Sequence, residues 1–155
     1  MTRRPLSIAL VTLSLLAACS PQLPEGVDST ALNDAVGRAV GSGSTCVLVA
    51  DKAGRTVWRG GGYITCARTL PTCAGPTSTA PDVLKAVRGK PARFVSCASL
   101  TGGANTVGWA MGPVPTAAGK PDRGLYYVAV MEGERALPGR EVQDRVEGAF
   151  AKAGL

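Results

Sequence analysis

The stretch Gly124-Leu125-Tyr126-Tyr127-Val128-Ala129-Val130-Met131 is the strongest strand signal in the chain. Aromatic and β-branched residues dominate it, and such side chains favour the pleated, half-buried surface of a sheet. Because side chains alternate across a strand, one set of residues is expected to share a face: Leu125, Tyr127, Ala129 and Met131. The run therefore predicts a strand with an apolar face turned to the core.

Four more segments predict strands: 45–50, 55–58, 92–100 and 106–111. In the last of them, the residues expected on one face are Val107, Trp109 and Met111. The turn Asp51-Lys52-Ala53-Gly54 joins the first two segments into a hairpin. The glycines at 60–62 are expected to loosen the backbone before Tyr63 and Ile64 resume an extended path.

Three segments repeat apolar residues at helical spacing: 28–41, 81–89 and 138–153. Asp28 provides a capping side chain, and Pro81 and Pro138 suit a first helical turn. The element order is α-β-β-α-β-β-β-α, and short hairpins make neighbouring strands antiparallel. The chain is thus expected to form a single α+β domain over residues 28–155, with about five antiparallel strands and three helices.

The amino-terminal segment ends in Leu16-Ala17-Ala18-Cys19 and has the pattern of a secretion signal. Arg3 and Arg4 precede an apolar run that is too short to span a membrane. The tetrapeptide resembles the lipobox of bacterial lipoproteins, which implies cleavage before Cys19 and lipidation of its thiol. The resemblance implies a signal peptide at 1–18 and a lipidated tether at 19–27. A plain signal peptide cut elsewhere is the alternative.

A lipidated Cys19 would make the lipid bilayer a partner through its acyl anchor. In Gram-negative lipoproteins an Asp after the lipidated cysteine usually retains the protein in the inner membrane. Ser20 occupies that position here, so the resemblance implies an exported, lipid-anchored protein of the cell envelope and, if the organism is Gram-negative, one on the outer membrane that faces the periplasm.

The four remaining cysteines are Cys46, Cys66, Cys73 and Cys97. An even number in an exported chain predicts two disulfides, with three connectivities available. Sequence proximity favours Cys66–Cys73, and Cys46–Cys97 follows by elimination. A zinc site is disfavoured because no Cys-x-x-Cys pair is present.

The composition argues against several functional classes. The chain has no histidine, which excludes Ser-His-Asp and Cys-His catalysis and histidine-ligated metals. Without residues 1–18, Lys plus Arg falls from 17 to 15 against 11 acidic residues, and the net charge falls from +6 to +4. The cations are scattered and lack interleaved aromatics, so nucleic-acid binding is not expected. The acidic residues fall mostly in predicted turns, including Glu132 and Glu134, so we expect no catalytic residues, metal or cofactor.

The predicted element order resembles the profilin-like folds, which include PAS, Cache and roadblock domains. Residues 49–57 (Val-Ala-Asp-Lys-Ala-Gly-Arg-Thr-Val) look like the first hairpin of PAS and Cache sensors. Residues 83–91 (Val-Leu-Lys-Ala-Val-Arg-Gly-Lys-Pro) look like their helix and the step into the third strand. Gly112-Pro113-Val114 falls where Cache sensors often carry Pro-Val. The resemblance implies a sheet with helices on one or both faces and a small-ligand pocket at the sheet.

Four residues on the predicted strands are candidates for such a pocket: Arg59, Arg93, Trp109 and Tyr127. In this hypothesis Trp109 and Tyr127 form the pocket walls and an arginine holds an anionic group. The competing interpretation is that both aromatic side chains are core packing. The chain is accordingly expected to be a membrane-anchored, non-catalytic envelope protein that binds a small molecule or peptide. The alternative is an envelope lipoprotein with a structural role or one that contacts another protein.

Overall fold

The computed structural model describes residues 22–41, 43–100 and 103–155. Within these residues the chain forms four helices and five strands: α1 (Ser29–Val40), β1 (Thr45–Ala50), β2 (Thr56–Gly61), α2 (Tyr63–Ala67), α3 (Ala80–Val87), β3 (Arg93–Ala98), β4 (Thr106–Pro113), β5 (Tyr126–Gly133) and α4 (Gly139–Lys152). The expected single α+β domain with a five-stranded antiparallel sheet is confirmed. The predicted signal peptide and Cys19 lie outside the described residues.

The strands pair in the order β2-β1-β5-β4-β3, and every neighbouring pair is antiparallel. Strand β5, built from the run of residues 126–133, therefore lies in the middle of the sheet. Its neighbour β1 is buried at all six positions. Continuous burial of this kind requires helices or loops on both faces of the sheet.

The two faces of the sheet carry separate apolar clusters. On the first, which we call the α1–α4 face, helices α1 and α4 pack over side chains that include Val49, Tyr127 and Ala129. On the second, which we call the α3 face, helix α3 packs over side chains that include Leu48 and Val130. The predicted alternation is confirmed. The residues of the first predicted set, Leu125, Tyr127, Ala129 and Met131, lie on the α1–α4 face, and those of the second set, Val107, Trp109 and Met111, lie on the α3 face.

Polar side chains cap two of the helices, as the sequence predicts for the first. Asp28 Oδ1 accepts a hydrogen bond from the Thr30 amide at 2.7 Å at the start of α1. The Thr79 hydroxyl caps α3 and donates to Asp82 Oδ2 at 2.8 Å. Each cap satisfies backbone donors that a helix leaves unpaired in its first turn. In the described part of the chain, none of the helices has the length and apolar character needed to cross a membrane.

The extended path expected for Tyr63 and Ile64 is wrong, because these residues begin helix α2. Gly61 has φ +89°, and a Cβ atom there would meet the Thr45 backbone, with the Cys46 Cα only 3.2 Å away. The next amide, Gly62 N, donates to the Thr45 carbonyl at 2.7 Å. This left-handed residue turns the chain out of β2 and onto the α3 face, a conformation that only glycine adopts without strain.

The expected disulfide pairing is also wrong, although all four cysteines are bonded. Cys46 pairs with Cys66, and Cys73 pairs with Cys97. The turn at Gly61 brings Cys66 in α2 back over Cys46 in β1, which leaves Cys73 beside the edge strand β3. Proximity in sequence failed because this return over the sheet decides which thiols meet.

Helix α4 approaches the sheet through its first residue, Gly139. A Cβ atom there would lie 2.5 Å from the Trp109 carbonyl oxygen and 2.9 Å from the Val95 amide nitrogen. Both neighbours belong to strand backbone and cannot move aside. Ser96 Oγ fixes the same point by accepting the Gly139 amide at 2.7 Å. The absence of a side chain at Gly139 therefore allows α4 to cover the sheet.

We predict that Gly139→Ala lowers the free energy of unfolding by at least about 2 kcal/mol, because the methyl group overpacks backbone. The matched control in the same helix is Gly148→Ala, whose Cβ would meet nothing within 4 Å. That change should raise stability by about 0.5–1 kcal/mol through helix propensity. Urea unfolding with the disulfides intact measures both, and equal effects would contradict the packing argument.

Candidate functional site: a groove between α3 and β3

A groove of about 280 Å³ opens on the α3 face, between helix α3 and the edge strand β3. This volume is close to the lower end of the range for ligand pockets, about 300 Å³. Trp109 and Met111 of β4 lie at its floor, and residues 71–78 form the wall opposite α3. The full lining is Thr72, Ala74, Pro76, Thr77, Ser78, Asp82, Val83, Ala86, Val87, Lys90, Pro91, Arg93, Trp109 and Met111.

The loop wall of the groove is fixed at its base and at its tip. At the base, Leu70 and Ser78 exchange two backbone hydrogen bonds of 2.9 and 2.8 Å. Near the tip, the Thr72 hydroxyl donates to the Pro76 carbonyl at 3.0 Å, and the disulfide from Cys73 ties the loop to β3. These restraints hold the wall in place before any ligand arrives.

Trp109 connects the floor of the groove to this wall. Its side chain is fully buried, and its indole Nε1 donates to the Pro71 carbonyl at 2.7 Å. The bond satisfies a donor that burial would otherwise leave unpaired. Trp109 is therefore both core packing and the support of the groove, which combines the two interpretations that the sequence leaves open.

Two cations stand at one end of the groove. Lys90 follows α3, and Arg93 begins β3 directly opposite Met111 of the floor. Both are exposed, and among the described residues neither has a carboxylate within 4 Å. Their charges remain available to an incoming anion.

The one carboxylate in the lining, Asp82, is already engaged. Its oxygens accept from the Thr79 hydroxyl at 2.8 Å and from Lys85 Nζ at 3.2 Å. The Thr79 hydrogen bond and then the Lys85 charge hold the pKa of Asp82 below its ordinary value. Because Lys85 offsets Asp82 locally, Lys90 and Arg93 set the electrostatic character of the groove.

Tyr127 does not join Trp109 in a common pocket. In the β4–β5 register Trp109 faces Val130 and Gly112 faces Tyr127, which places the two aromatic side chains on opposite faces of the sheet. The Tyr127 hydroxyl donates to Glu147 Oε1 at 2.7 Å. Burial and then the Glu147 carboxylate raise the pKa of Tyr127 well above its usual range.

Arg59 is also remote from the groove, although it lies on the same face as Leu48. It belongs to β2, and β2 and β3 are opposite edges of the sheet. Four strand spacings separate the edges, which is about 19 Å. The Arg59 guanidinium lies 4.8 Å from the centre of the Tyr63 ring. Of the four candidates, the structure brings Arg93 and Trp109 together and leaves Arg59 and Tyr127 elsewhere.

Glu132 is a buried carboxylate that sequence reasoning placed in a turn. It lies in β5 with 7% of its surface exposed, and Arg68 Nη1 donates to its Oε2 at 2.6 Å. This ion pair fastens the chain after α2 to the central strand. The sequence signal was the period-2 continuation of the strand past Met131. In the described part of the chain, no three His, Cys, Asp or Glu side chains are grouped to hold a metal ion.

We predict that Trp109→Phe destabilises the protein by about 1–2 kcal/mol more than Trp58→Phe, because it leaves the Pro71 carbonyl without its hydrogen-bond donor. Trp58 is a matched control, since it is also buried but its Nε1 finds no acceptor among the described residues. Both changes remove a similar volume. Urea unfolding and hydrogen exchange at the Leu70 and Ser78 amides measure the difference, and equal losses would show that the indole bond does not hold the loop.

Comparison of the chain with known proteins found no relative. No protein-family model matches the chain, and neither the curated proteins nor the solved structures contain a significant match.

Proposed function

We propose that this protein is an exported, lipid-anchored envelope domain that binds a small molecule or short peptide carrying an anionic group. The observation that carries this proposal is the groove between α3 and β3. Two cations outside any described ion pair, Lys90 and Arg93, stand beside an apolar floor made by Trp109 and Met111.

The chemistry of the lining favours a ligand with an anionic and an apolar part. The Arg93 guanidinium can accept a carboxylate or phosphate group in a two-pronged contact. Val83 and Val87 of α3 face the apolar floor across the groove and can take the remainder of the ligand. Ligand pockets typically combine such apolar walls with a few polar groups that fix orientation.

The fixed loop wall supports binding energetically. Ordering a loop at the moment of binding costs affinity, and that cost is reduced where the loop is already constrained. Here the Cys73–Cys97 disulfide, the Leu70–Ser78 bridge and the Trp109–Pro71 hydrogen bond constrain it. The protein therefore presents its groove largely preformed.

The resemblance to PAS and Cache domains agrees with this location. It implies a small-ligand pocket at a sheet covered by helices, and the segment 83–91 that carries part of the resemblance runs along the groove. Lys90 and Pro91, the last residues of that segment, line its cationic end.

Export and anchoring are proposed from the sequence of the amino-terminal segment. Two disulfides, Cys46–Cys66 and Cys73–Cys97, support export because such bonds form and persist in oxidising compartments. Cys19 lies outside the described residues, so the proposal that it is lipidated is based on the resemblance to a lipobox alone.

We predict that the mature native protein carries acyl chains on Cys19 and that Cys19→Ser abolishes this acylation, because the thiol that accepts the lipid is lost. The neighbouring substitution Ser20→Ala keeps the thiol and should remain membrane-bound. Detergent-phase partitioning with mass spectrometry of the mature amino terminus measures both. An unmodified Cys19 at the mature amino terminus of the native protein would exclude an acyl anchor at this residue.

A second function, contact with another protein, is favoured by one exposed apolar patch. Tyr63 and Ile64 of α2 are 70% and 74% exposed. Arg59 lies over the Tyr63 ring, and tyrosine and arginine are common in the energetic centres of interfaces. This patch lies beside the edge strand β2, at the opposite edge of the sheet from the groove.

We predict that an anionic ligand found by thermal-shift screening of carboxylates and phosphates raises the melting temperature by roughly 5 °C at saturating concentration. Arg93→Ala should weaken its binding about 10-fold to 100-fold, since a charge-assisted hydrogen bond is lost. Arg59→Ala is the matched control, because it removes an edge-strand arginine from the same face.

The ligand proposal fails if no carboxylate or phosphate shifts the melting temperature. It fails equally if the Arg59 and Arg93 variants lose the same affinity. Either result would favour the protein-contact function, whose surface includes Arg59.

A further inference from the structure

Exposed cations cluster at one end of the strands. Strands β1 and β4 end there and β2, β3 and β5 begin there, because Ala50 pairs with Thr56 and Tyr126, Pro113 pairs with Tyr126, and Arg93 pairs with Met111. The connections at this end and the first residue of β3 carry the residues that we call the basic end: Lys52, Arg88, Lys90, Arg93 and Lys120.

The cations of the basic end are solvent-exposed and lie outside ion pairs. In the described part of the chain, none has a carboxylate oxygen within 4 Å. Arg88 joins two of the connections by donating from Nη1 to the Ala53 carbonyl at 3.2 Å. The positive charges therefore lie on neighbouring connections and act on the same patch of solvent.

Three acidic side chains near this end accept hydrogen bonds from the backbone. Asp28, Asp51 and Asp122 each accept a backbone amide hydrogen bond, at 2.7, 2.9 and 2.7 Å. Asp51 also pairs with Arg55 at 2.7 Å. Glu25, which precedes α1, is an exposed carboxylate, so the five cations of the basic end outnumber the acidic side chains that remain exposed beside them.

Three cations elsewhere are paired with carboxylates. Arg68 pairs with Glu132 at the far end of β5, and Arg140 and Arg145 of α4 pair with carboxylates one turn away along the helix. Arg38 and Arg135 are exposed and outside the ion pairs of the described residues. The basic end differs because it has five such cations close together, a local positive charge that the modest net charge conceals.

Helix α1 links the amino-terminal tether to the basic end. The Thr45 hydroxyl donates to the Val40 carbonyl at 2.9 Å, so α1 ends beside the start of β1, at the other end of the strands. The 12 residues of α1 span about 18 Å, nearly the length of β1, so a helix that runs back along the sheet has its first turn near the basic end. Gln22, the first residue of the described chain, lies seven residues before α1 and three residues after Cys19, and those three residues reach about 11 Å.

We propose that the basic end docks onto the anionic phospholipid headgroups of the membrane that holds the anchor. The orientation relies on the proposed lipidation of Cys19, whereas the lipid-binding surface itself is independent of it. An acyl chain at Cys19 holds Gln22 within about 11 Å of the headgroups, roughly one Debye length. Attraction to anionic lipid acts at that range, and it fixes which side of the domain faces the bilayer.

The test uses the mature chain, residues 19–155, carrying Cys19→Ser, which has neither the acyl group nor the apolar segment that precedes residue 19, and sedimentation with lipid vesicles. Vesicles containing phosphatidylglycerol should bind the protein, and pure phosphatidylcholine vesicles should not. Raising salt from about 0.1 M to 1 M should release it, because the Debye length falls from about 10 Å to 3 Å. Lys52→Glu with Lys120→Glu should lower partitioning at least tenfold, and neither residue lines the groove.

The matched control reverses two exposed cations away from the basic end, Arg38→Glu with Arg135→Glu, so the net charge is the same. Partitioning of this control should fall less than threefold. Equal losses in the two double variants would overturn the proposal, since net charge alone would then explain binding. Equal binding to both vesicle types, or no binding to either, would also overturn it. The neutral pair Lys52→Gln and Lys120→Gln repeats the test if charge reversal prevents folding.

These outcomes are separate from those that test the anchor and the groove. A soluble Cys19→Ser protein that binds anionic vesicles through the basic end would support the surface even if native Cys19 proved unmodified. Loss of ligand binding in Arg93→Ala would not bear on Lys52 and Lys120.

Discussion

The structure depends on covering both faces of one antiparallel sheet. Helices α1 and α4, with 12 and 14 residues, are long enough to cover the first face. The α3 face has only the eight residues of α3 and the five of α2. Irregular chain covers the rest. One disulfide attaches α2 to β1, and the other attaches the irregular chain to β3. The disulfides compensate for a helical layer that is too small, and the groove lies where this cover stops.

This division explains which parts of the fold were readable from the sequence. Strands and helices with strong local signals were predicted, because alternation along residues 124–131 and the Asp28 cap act within a few residues. The helix at Tyr63 and the pairing of Cys46 with Cys66 depend on the turn at Gly61 and on strand contacts. Those contacts join residues distant in sequence, and no local pattern encodes them.

The candidate site divides in the same way. The alternation of side chains along β4 predicts that Trp109 shares a face with apolar residues of its own strand. Only the β4–β5 register shows that this face is opposite to the face of Tyr127. Likewise, strand order decides that Arg59 and Arg93 lie on opposite edges. The loop wall could not be predicted at all, since the Cys73 disulfide and the Trp109 hydrogen bond create it.

The groove and the basic end share Lys90 and Arg93, so docking on the membrane would alter the groove's electrostatic surroundings. Anionic lipid gives a surface potential of about −30 mV, which lowers the nearby concentration of a monovalent anion about threefold. A soluble anionic ligand would therefore meet an electrostatic cost at the membrane that is absent in solution. The same cations that neutralise headgroups would be less available to the ligand. Binding to the groove and docking to the bilayer would thus oppose one another to the extent that both use Lys90 and Arg93.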